Sequence, residues 1–295
     1  MTESEMRAAM FRFLSRKPTV PVLRFSGPIG MATPLRPGLS LATAAAAIEK
    51  AFQASKTPAV AISINSPGGS PVQSHLIYKR IRQLAAESGK RVHVFCEDVA
   101  ASGGYFLALA GDEIHADPSS VVGSIGVISA GFGLDKAIEK LGIERRVYTS
   151  GLSKGSLDPF LPEKADDVAR LKTLQGDIHD LFIGIVKERR GAKLNGPDVE
   201  LFSGAFWSGP KAHELGLIDG LGDLRSRMRE IYGDKVRLRA IPMQSGGLLS
   251  RLRRSTEQVR PVLSADLLTN GWRQGLAEDA ISAIEARALW SRFGL

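Results

Sequence analysis

Six consecutive β-prone residues, Ala59-Val60-Ala61-Ile62-Ser63-Ile64, end abruptly in Asn65-Ser66-Pro67-Gly68-Gly69. A continuous run of this kind belongs to a strand covered on both faces, where neither side of the pleat meets water. The next residues carry a helix start signal: Ser70 as N-cap, Pro71 at the first helical position and Gln73 to close a capping box. Ile77, Ile81 and Leu84 give that helix an apolar face. A further apolar strand is expected at 92–96, followed by a short helix that opens after Ser102. The order β-α-β-α predicts an α/β fold with parallel strands and right-handed crossovers.

The rest of the chain extends this pattern. Residues 20–25 read as a first strand, and the alanine-rich stretch 40–54 as a helix with Ile48 and Phe52 on one face. Short strands are expected at 112–116, around 123–126, at 145–149 and at 236–241, with short helices at 135–141 and 211–215. Residues 165–190 predict a long amphipathic helix with Leu171, Leu174, Ile178, Leu181 and Ile185 turned inward, ended by Arg189, Arg190 and Gly191. Past Met243 the composition shifts to Gly246-Gly247, Arg251, Arg253, Arg254 and Pro261, with a second helix expected at 276–289. The expected organisation is an N-terminal segment at 1–17 able to form an amphipathic helix, a main domain at 18–243, and a basic, partly helical appendage at 244–295.

Composition removes several function classes. The single Cys96 allows no intrachain disulfide and no cysteine zinc site, and its strand setting predicts a buried, inert thiol. No HExxH or comparable spacing occurs, so neither a catalytic metal nor a cofactor is expected. The formal net charge of +8 names no partner, because the basic residues are scattered apart from Arg251 to Arg254; no nucleic-acid role is expected. No run approaches the ~18 apolar residues of a membrane-spanning helix, and Glu3 and Glu5 are foreign to a secretory signal. The expected location is therefore the cytoplasm or the periphery of the inner membrane.

The chemistry centres on Val99-Ala100-Ala101-Ser102-Gly103-Gly104-Tyr105-Phe106-Leu107-Ala108, a serine among small residues at a helix start. Unpaired N–H groups and the positive end of the helix dipole at that position favour a developing anion, as a serine nucleophile requires. Serine is equally a common N-cap, and the stretch alone does not separate the two readings. None of the five histidines, His75, His93, His115, His179 and His213, stands out as a base. Gly151-Leu152-Ser153-Lys154-Gly155 matches the G-x-S-x-G pattern of a nucleophile elbow, but Ser156 to Pro162 cannot begin the helix which that motif demands. The same pentapeptide offers Lys154. A lysine amine accepts a serine proton only when neutral, which needs its pKa lowered from about 10.4 toward 7–8 by burial, roughly 3–5 kcal/mol. A lone loop lysine is ordinarily a solvated charge.

Three ordered motifs are more specific: Asn65-Ser66-Pro67-Gly68-Gly69, Ala100-Ala101-Ser102-Gly103-Gly104-Tyr105 and Val122-Gly123-Ser124-Ile125-Gly126-Val127. With Ala212-His213-Glu214-Leu215-Gly216-Leu217-Ile218-Asp219, they resemble the signal peptide peptidase A (protease IV, S49) family of serine peptidases over about residues 18–242. The resemblance implies a Clp protease/crotonase-like fold, a repeated β-β-α core with parallel strands, plus the helical C-terminal appendage. It implies Ser102 as nucleophile, Lys154 as general base, Ser124 orienting the lysine, and backbone N–H donors at Gly69 and Gly103 for the oxyanion. It further implies short or unfolded polypeptide substrates such as signal-peptide remnants. Its short members form a homo-oligomeric ring, typically an octamer, in which serine and lysine meet across a subunit interface. Family members usually carry an N-terminal membrane anchor, and no such segment is expected in this chain, which leaves peripheral membrane contact.

Two other classes share parts of this pattern. A crotonase-like acyl-CoA hydratase or hydrolase would use the Gly-Gly turn on a thioester carbonyl, but leaves the serine and lysine unexplained. A non-catalytic, ring-forming scaffold would need neither residue.

Overall fold

The computed structural model describes residues 17–31, 38–151, 153–243, 284 and 287–294. The residues expected to form the N-terminal amphipathic helix lie outside these, except Lys17, as does most of the appendage; within the latter, residues 287–291 are helical. The centre is a mixed sheet of β1 (Thr19–Ser26), β2 (Ala59–Ser66), β3 (Arg91–Ala101), β4 (Glu113–Ala116), β5 (Val121–Gly123), β6 (Phe206–Ser208), β7 (Gly220–Leu221) and β8 (Arg237–Ala240). Its main path runs β6-β5-β3-β2-β1-β8, with β4 beside β3 and β7 beside β4. Among the described residues only the β5–β6 pair is antiparallel. β3 is longer than expected. Its first half pairs with β4 through His93 to Cys96 and its end with β5 through Val99 to Ala101.

All six residues of the initial run are buried, and the period-two pleat divides them between two cores. Val60, Ile62 and Ile64 join the larger one with Leu23, Phe25, Val92 and Val94. Over them pack α1 (Leu41–Gln53), α2 (Pro71–Ser88), α3 (Gly103–Ala108) and the end of α5 (Ala165–Arg190), through Ile48, Ile77, Leu107 and Phe182. Ala59 and Ala61 face a smaller core with Val20, Phe95 and Met228, the last from α8 (Leu224–Tyr232). The remaining helices are α4 (Asp135–Lys140), α6 (Asp198–Leu201) and α7 (Gly209–Glu214).

The helix starts follow the expected chemistry with one change. Ser70 Oγ accepts from Gln73 N–H at 3.4 Å, and Pro71 stands at the first helical position. The Gln73 side chain does not close the box. Its Oε1 accepts from Leu41 N–H at 2.9 Å, tying the start of α2 to the start of α1. Ser40 and Thr43 form a complete capping box on α1 instead.

Between β5 and the end of α5 the chain leaves the body. No described residue within 126–166 is buried. The expected strand at 145–149 is absent, because no strand among the described residues offers it backbone partners; Tyr148 there is 92% exposed. This arm still has internal structure: Leu134 N–H donates to Pro159 O at 2.6 Å, and Arg145 pairs with Asp158 at 2.8 Å. α5 keeps its expected boundaries but not its expected burial. Leu174 and Leu181 are exposed, and apart from Asp167 burial begins at Phe182. Periodicity identified an apolar stripe, but its first half has no partner within the described chain.

Candidate active site

Ser102 occupies the turn from β3 into α3 with φ 52° and ψ −121°, a conformation that residues with a Cβ rarely adopt. Its side chain makes no capping hydrogen bond, so the N-cap reading does not account for it. The turn is over-determined from both sides. Ser102 N–H donates to Gly123 O at 2.8 Å, and Phe106 N–H donates to Ser102 O at 2.9 Å. Gly68 presses against it so closely that a Cβ there would lie 2.8 Å from Ser102 Cβ and 2.9 Å from Gly103 N. Gly104 meets the Ser66 carbonyl, where a Cβ would collide. The small residues around the serine are thus required by packing between two loops.

The Gly68-Gly69 turn is fixed by a short parallel bridge to Ile29. Ile29 N–H donates to Gly68 O and Ser70 N–H to Ile29 O, both at 2.8 Å. Backbone alternation then turns the N–H of Gly69 away from Ile29. Neither Gly69 N–H nor Gly103 N–H has an acceptor among the described residues. Both glycines line one cavity with Ser102, of about 210 Å³. Its walls are apolar: Val72 and Leu76 from α2, Phe106 from α3, Val127, and Ile178, Leu181 and Phe182 from α5. The Phe106 and Phe182 rings meet at 4.8 Å. His75 is the titratable group in this wall, and burial, with the Lys79 charge second, lowers its pKa below the ordinary histidine value.

Ser124 follows the glycine whose carbonyl holds Ser102. It too is left-handed, with φ 53°, is 5% exposed, and donates its N–H to Ala205 O at 2.6 Å. His179 on α5 secures the same loop through a 3.1 Å hydrogen bond to the Ile125 carbonyl. Gly69, Ser102 and Gly103 are therefore together, with Ser124 one residue beyond the Ser102 support. Lys154 is not with them. It lies exposed on the arm, lines no part of the cavity, and its Nζ forms no hydrogen bond or ion pair with a described residue. A larger cleft of about 670 Å³ lies within the arm, between residues 129–135 and 155–171, and contains none of Ser102, Ser124, Gly69 or Gly103.

Behind the site, α3 and α5 are locked to the Leu217–Asp219 segment. Fully buried Tyr105 donates its hydroxyl to Leu217 O at 2.7 Å, and burial pushes its pKa above the usual tyrosine range. Arg190 reaches Asp219 at 2.8 and 3.2 Å, and Arg189 donates to the carbonyls of Leu109 and Gly111. Burial alone would raise the Asp219 pKa. Hydrogen bonds from Arg190 and Lys193, the Arg190 charge and the Ile114 N–H outweigh it and hold the carboxyl down at about 2. Cys96 is buried as expected, its thiol pushed up to about 12 by desolvation.

Sequence reasoning missed His75, Phe182 and His179 as parts of the site and its support, and it held Asp219 only as the last residue of the Ala212–Asp219 motif, without its role. Only for Phe182 was there a local signal, since it neighbours the stripe residues Ile178, Leu181 and Ile185. The others act through contacts across elements.

Comparison with known proteins adds an independent line. Peptidase family S49 matches residues 85–235. A Brucella abortus protein named Na(+)/H(+) antiporter NhaA is 55% identical over 288 residues, covering 96% of this chain and 38% of that protein. The chloroplastic serine protease SPPA of Arabidopsis thaliana is 34% identical over 221 residues, 74% of this chain and 31% of that protein. A Synechocystis protein carrying a protease name is 35% identical over 201 residues, 65% of this chain and 70% of that protein. The chain spans about a third (31–38%) of the length of the Brucella and Arabidopsis relatives.

Proposed function

The chain belongs to peptidase family S49, a serine-protease-type hydrolase family, and from that premise we propose that Ser102 attacks peptide carbonyls in the 210 Å³ cavity with Lys154 as its base. The observation that carries this reading is the strained Ser102 turn, which lines an apolar cavity together with Gly69 and Gly103, whose N–H groups have no acceptor among the described residues. Strain of this kind persists where the surroundings over-determine it, as at catalytic turns. In the proposed reaction neutral Lys154 takes the Oγ proton as Ser102 Oγ bonds to the carbonyl carbon. Gly69 and Gly103 N–H groups receive the oxyanion. The C–N bond then breaks, Lys154 returns the proton to the leaving amine, and water hydrolyses the ester by the same route. Each backbone donor is worth roughly 10²–10³ in rate.

An exposed lysine cannot serve as this base, so we propose that a second copy completes the site. The arm that carries Lys154 exposes Phe132, Leu141, Ile143 and Tyr148, a set of apolar side chains that docking would cover and that would desolvate the amine. A closed homo-oligomeric ring with shared sites follows the family resemblance, as does the finer Clp protease/crotonase-like assignment of the fold. The apolar cavity suits short or unfolded polypeptides with an apolar side chain before the scissile bond.

No helix among the described residues is long and apolar enough to cross a membrane. The proposed location remains cytoplasmic or peripheral to the inner membrane. The antiporter name belongs to proteins of which this chain matches 38%, and the shared stretch is nearly the whole of this chain, the S49 match included. We assign the peptidase chemistry to this chain and no transport.

The test is cleavage of a fluorogenic peptide panel by wild type, Ser102→Ala and Lys154→Ala, each sized by light scattering. Both variants should be inactive with the assembly intact, and mixing them should restore part of the activity through sites that combine an intact serine with an intact lysine. An active Ser102→Ala removes the nucleophile assignment, and Ser153 becomes the next suspect. Inert mixtures of two assembled variants remove the shared site. Hydrolysis of acyl-CoA thioesters without peptide cleavage replaces the peptidase reading with the crotonase-like one.

A further inference from the structure

We propose that Asp167 is a positioning residue that clasps the Lys154 loop onto the start of α5. The proposal rests on the reading of Lys154 as base. Asp167 is the only buried residue in the first four turns of α5, 8% exposed where every other described residue from 126 to 181 meets solvent. A carboxylate is rarely the group a helix buries, unless its oxygens are matched. Here they are. Ser156 Oγ donates to Oδ1 at 2.9 Å, and Leu157 N–H donates to Oδ2 at 3.4 Å. Arg170, one turn on, stands 3.8 Å from Oδ1 and donates through Nη1 to Ser153 Oγ.

The residues tied down are those that flank the lysine. Ser153 precedes Lys154 and Ser156 follows two positions later; both are bound to the first two turns of α5. Leu157 holds φ 58°, a left-handed conformation that costs a leucine energy and needs an external tie. The Asp167 hydrogen bond to its N–H is that tie. Two short turns complete the clasp: Lys154 N–H donates to Gly151 O at 3.2 Å, and the single Ser156 hydroxyl proton is shared between Asp167 Oδ1 and Ser153 O, each 2.9 Å from Oγ.

A simpler account would have Asp167 complement the positive end of the helix dipole. Asp166 is placed for that and remains exposed, whereas Asp167 turns both oxygens to the loop. The clasp fixes how far and at what angle the lysine is presented. That matters because an amine displaced by about an ångström no longer reaches the serine proton.

The test uses the full chain, with Asp167→Asn, Ser156→Ala and Ser156→Thr beside Lys154→Ala, reading kcat, KM, the pH profile of kcat/KM and assembly size. Asp167→Asn keeps the shape but cannot accept both hydrogen bonds. It should lower kcat by ~10-fold or more, the scale of losing a hydrogen bond to a charged group, with KM nearly unchanged. Its acid limb should move to higher pH, because a loosely held amine is better solvated and gives up its proton later. Ser156→Ala should move the same way to a smaller extent, and Ser156→Thr, which keeps the hydroxyl, should stay near wild type. Wild-type kcat and pH profile in assembled Asp167→Asn overturn the clasp. So does a fall in activity that leaves the profile unmoved in both Asp167→Asn and Ser156→Ala. If Asp167→Asn does not assemble, the Ser156 pair decides alone: equal profiles for alanine and threonine overturn it. An active Lys154→Ala removes the base assignment itself and is distinguishable from each of these.

Discussion

Replacing Asp219 by asparagine tests the support on which the site is built. The carboxylate is partly buried, with 15% of its side chain exposed, against an Arg190 side chain that is 3% exposed. It accepts from Arg190 at 2.8 and 3.2 Å, from Lys193 at 2.7 Å and from Ile114 N–H at 2.8 Å. Its pKa falls from 3.8 to about 2 on folding. At about 1.36 kcal/mol per unit, the charge contributes about 2 kcal/mol of stability at neutral pH. Asparagine also leaves Arg190 buried beside a neutral partner, and losing one member of a buried pair costs about 3–5 kcal/mol in other proteins. Asparagine retains one acceptor, so the expected loss for Asp219→Asn is about 2–4 kcal/mol at pH 7. The sign of the pH dependence follows from the lowered pKa. The contribution is complete above the unfolded value of 3.8 and disappears as pH falls through about 2, so roughly half of it should be gone near pH 3. Urea unfolding of wild type and variant at pH 7 and pH 3 measures this directly. A loss that is the same at both values would refute the charge-based account and leave only shape. Phe182, two turns before Arg190, lines the cavity, so the variant should also lose kcat/KM at temperatures where it remains folded.

Two further outcomes concern the cavity. Gly68→Ala puts a Cβ 2.8 Å from Ser102 Cβ at a backbone φ of 105°, so kcat should fall about 100-fold, the scale of a displaced oxyanion donor, with the assembly intact by light scattering; near-normal kcat would show that the two loops do not need their close approach. His75, whose pKa burial lowers below the ordinary histidine value, should be neutral at pH 7 and gain its charge on acidification; KM for peptides with an apolar side chain should then rise at acid pH in wild type and not in His75→Phe, and parallel pH curves for the two would remove His75 from the pocket wall.

What could be read in the sequence was whatever a few adjacent residues decide. The strand at 59–64 announced its double-sided burial because no polar alternation interrupts it, and Ser70 and Pro71 marked a helix start because capping is settled within four residues. The Ser102 turn was visible as a serine among glycines, yet its choice between cap and strained turn depends on Gly68 and Gly123, which arrive from other loops. Residues 145–149 have strand composition and no strand, because a strand requires an edge and none lies beside it among the described residues. The stripe through Leu174 and Leu181 is apolar in sequence and exposed in the structure for the same reason: periodicity specifies a face, while its partner lies elsewhere.

Asp167 and Leu174 fail in opposite directions, and the pair says more than either. Polarity predicts that Asp167 faces water, yet it is buried by hydrogen bonds to the loop before the helix; apolarity predicts that Leu174 is buried, yet it is exposed. Both lie on the arm, where no described residue within 126–166 is buried. A segment that keeps internal ties, such as Arg145 with Asp158 and Ser156 with Asp167, while leaving its apolar side chains uncovered, is preorganised before anything docks on it. Preorganisation lowers the ordering cost of association. It would also bring Lys154 to its destination already held, so that docking need supply only desolvation. On this reasoning the arm's internal hydrogen bonds and its exposed apolar side chains have separate tasks: the first would set the geometry of the proposed base, the second would shield it from water.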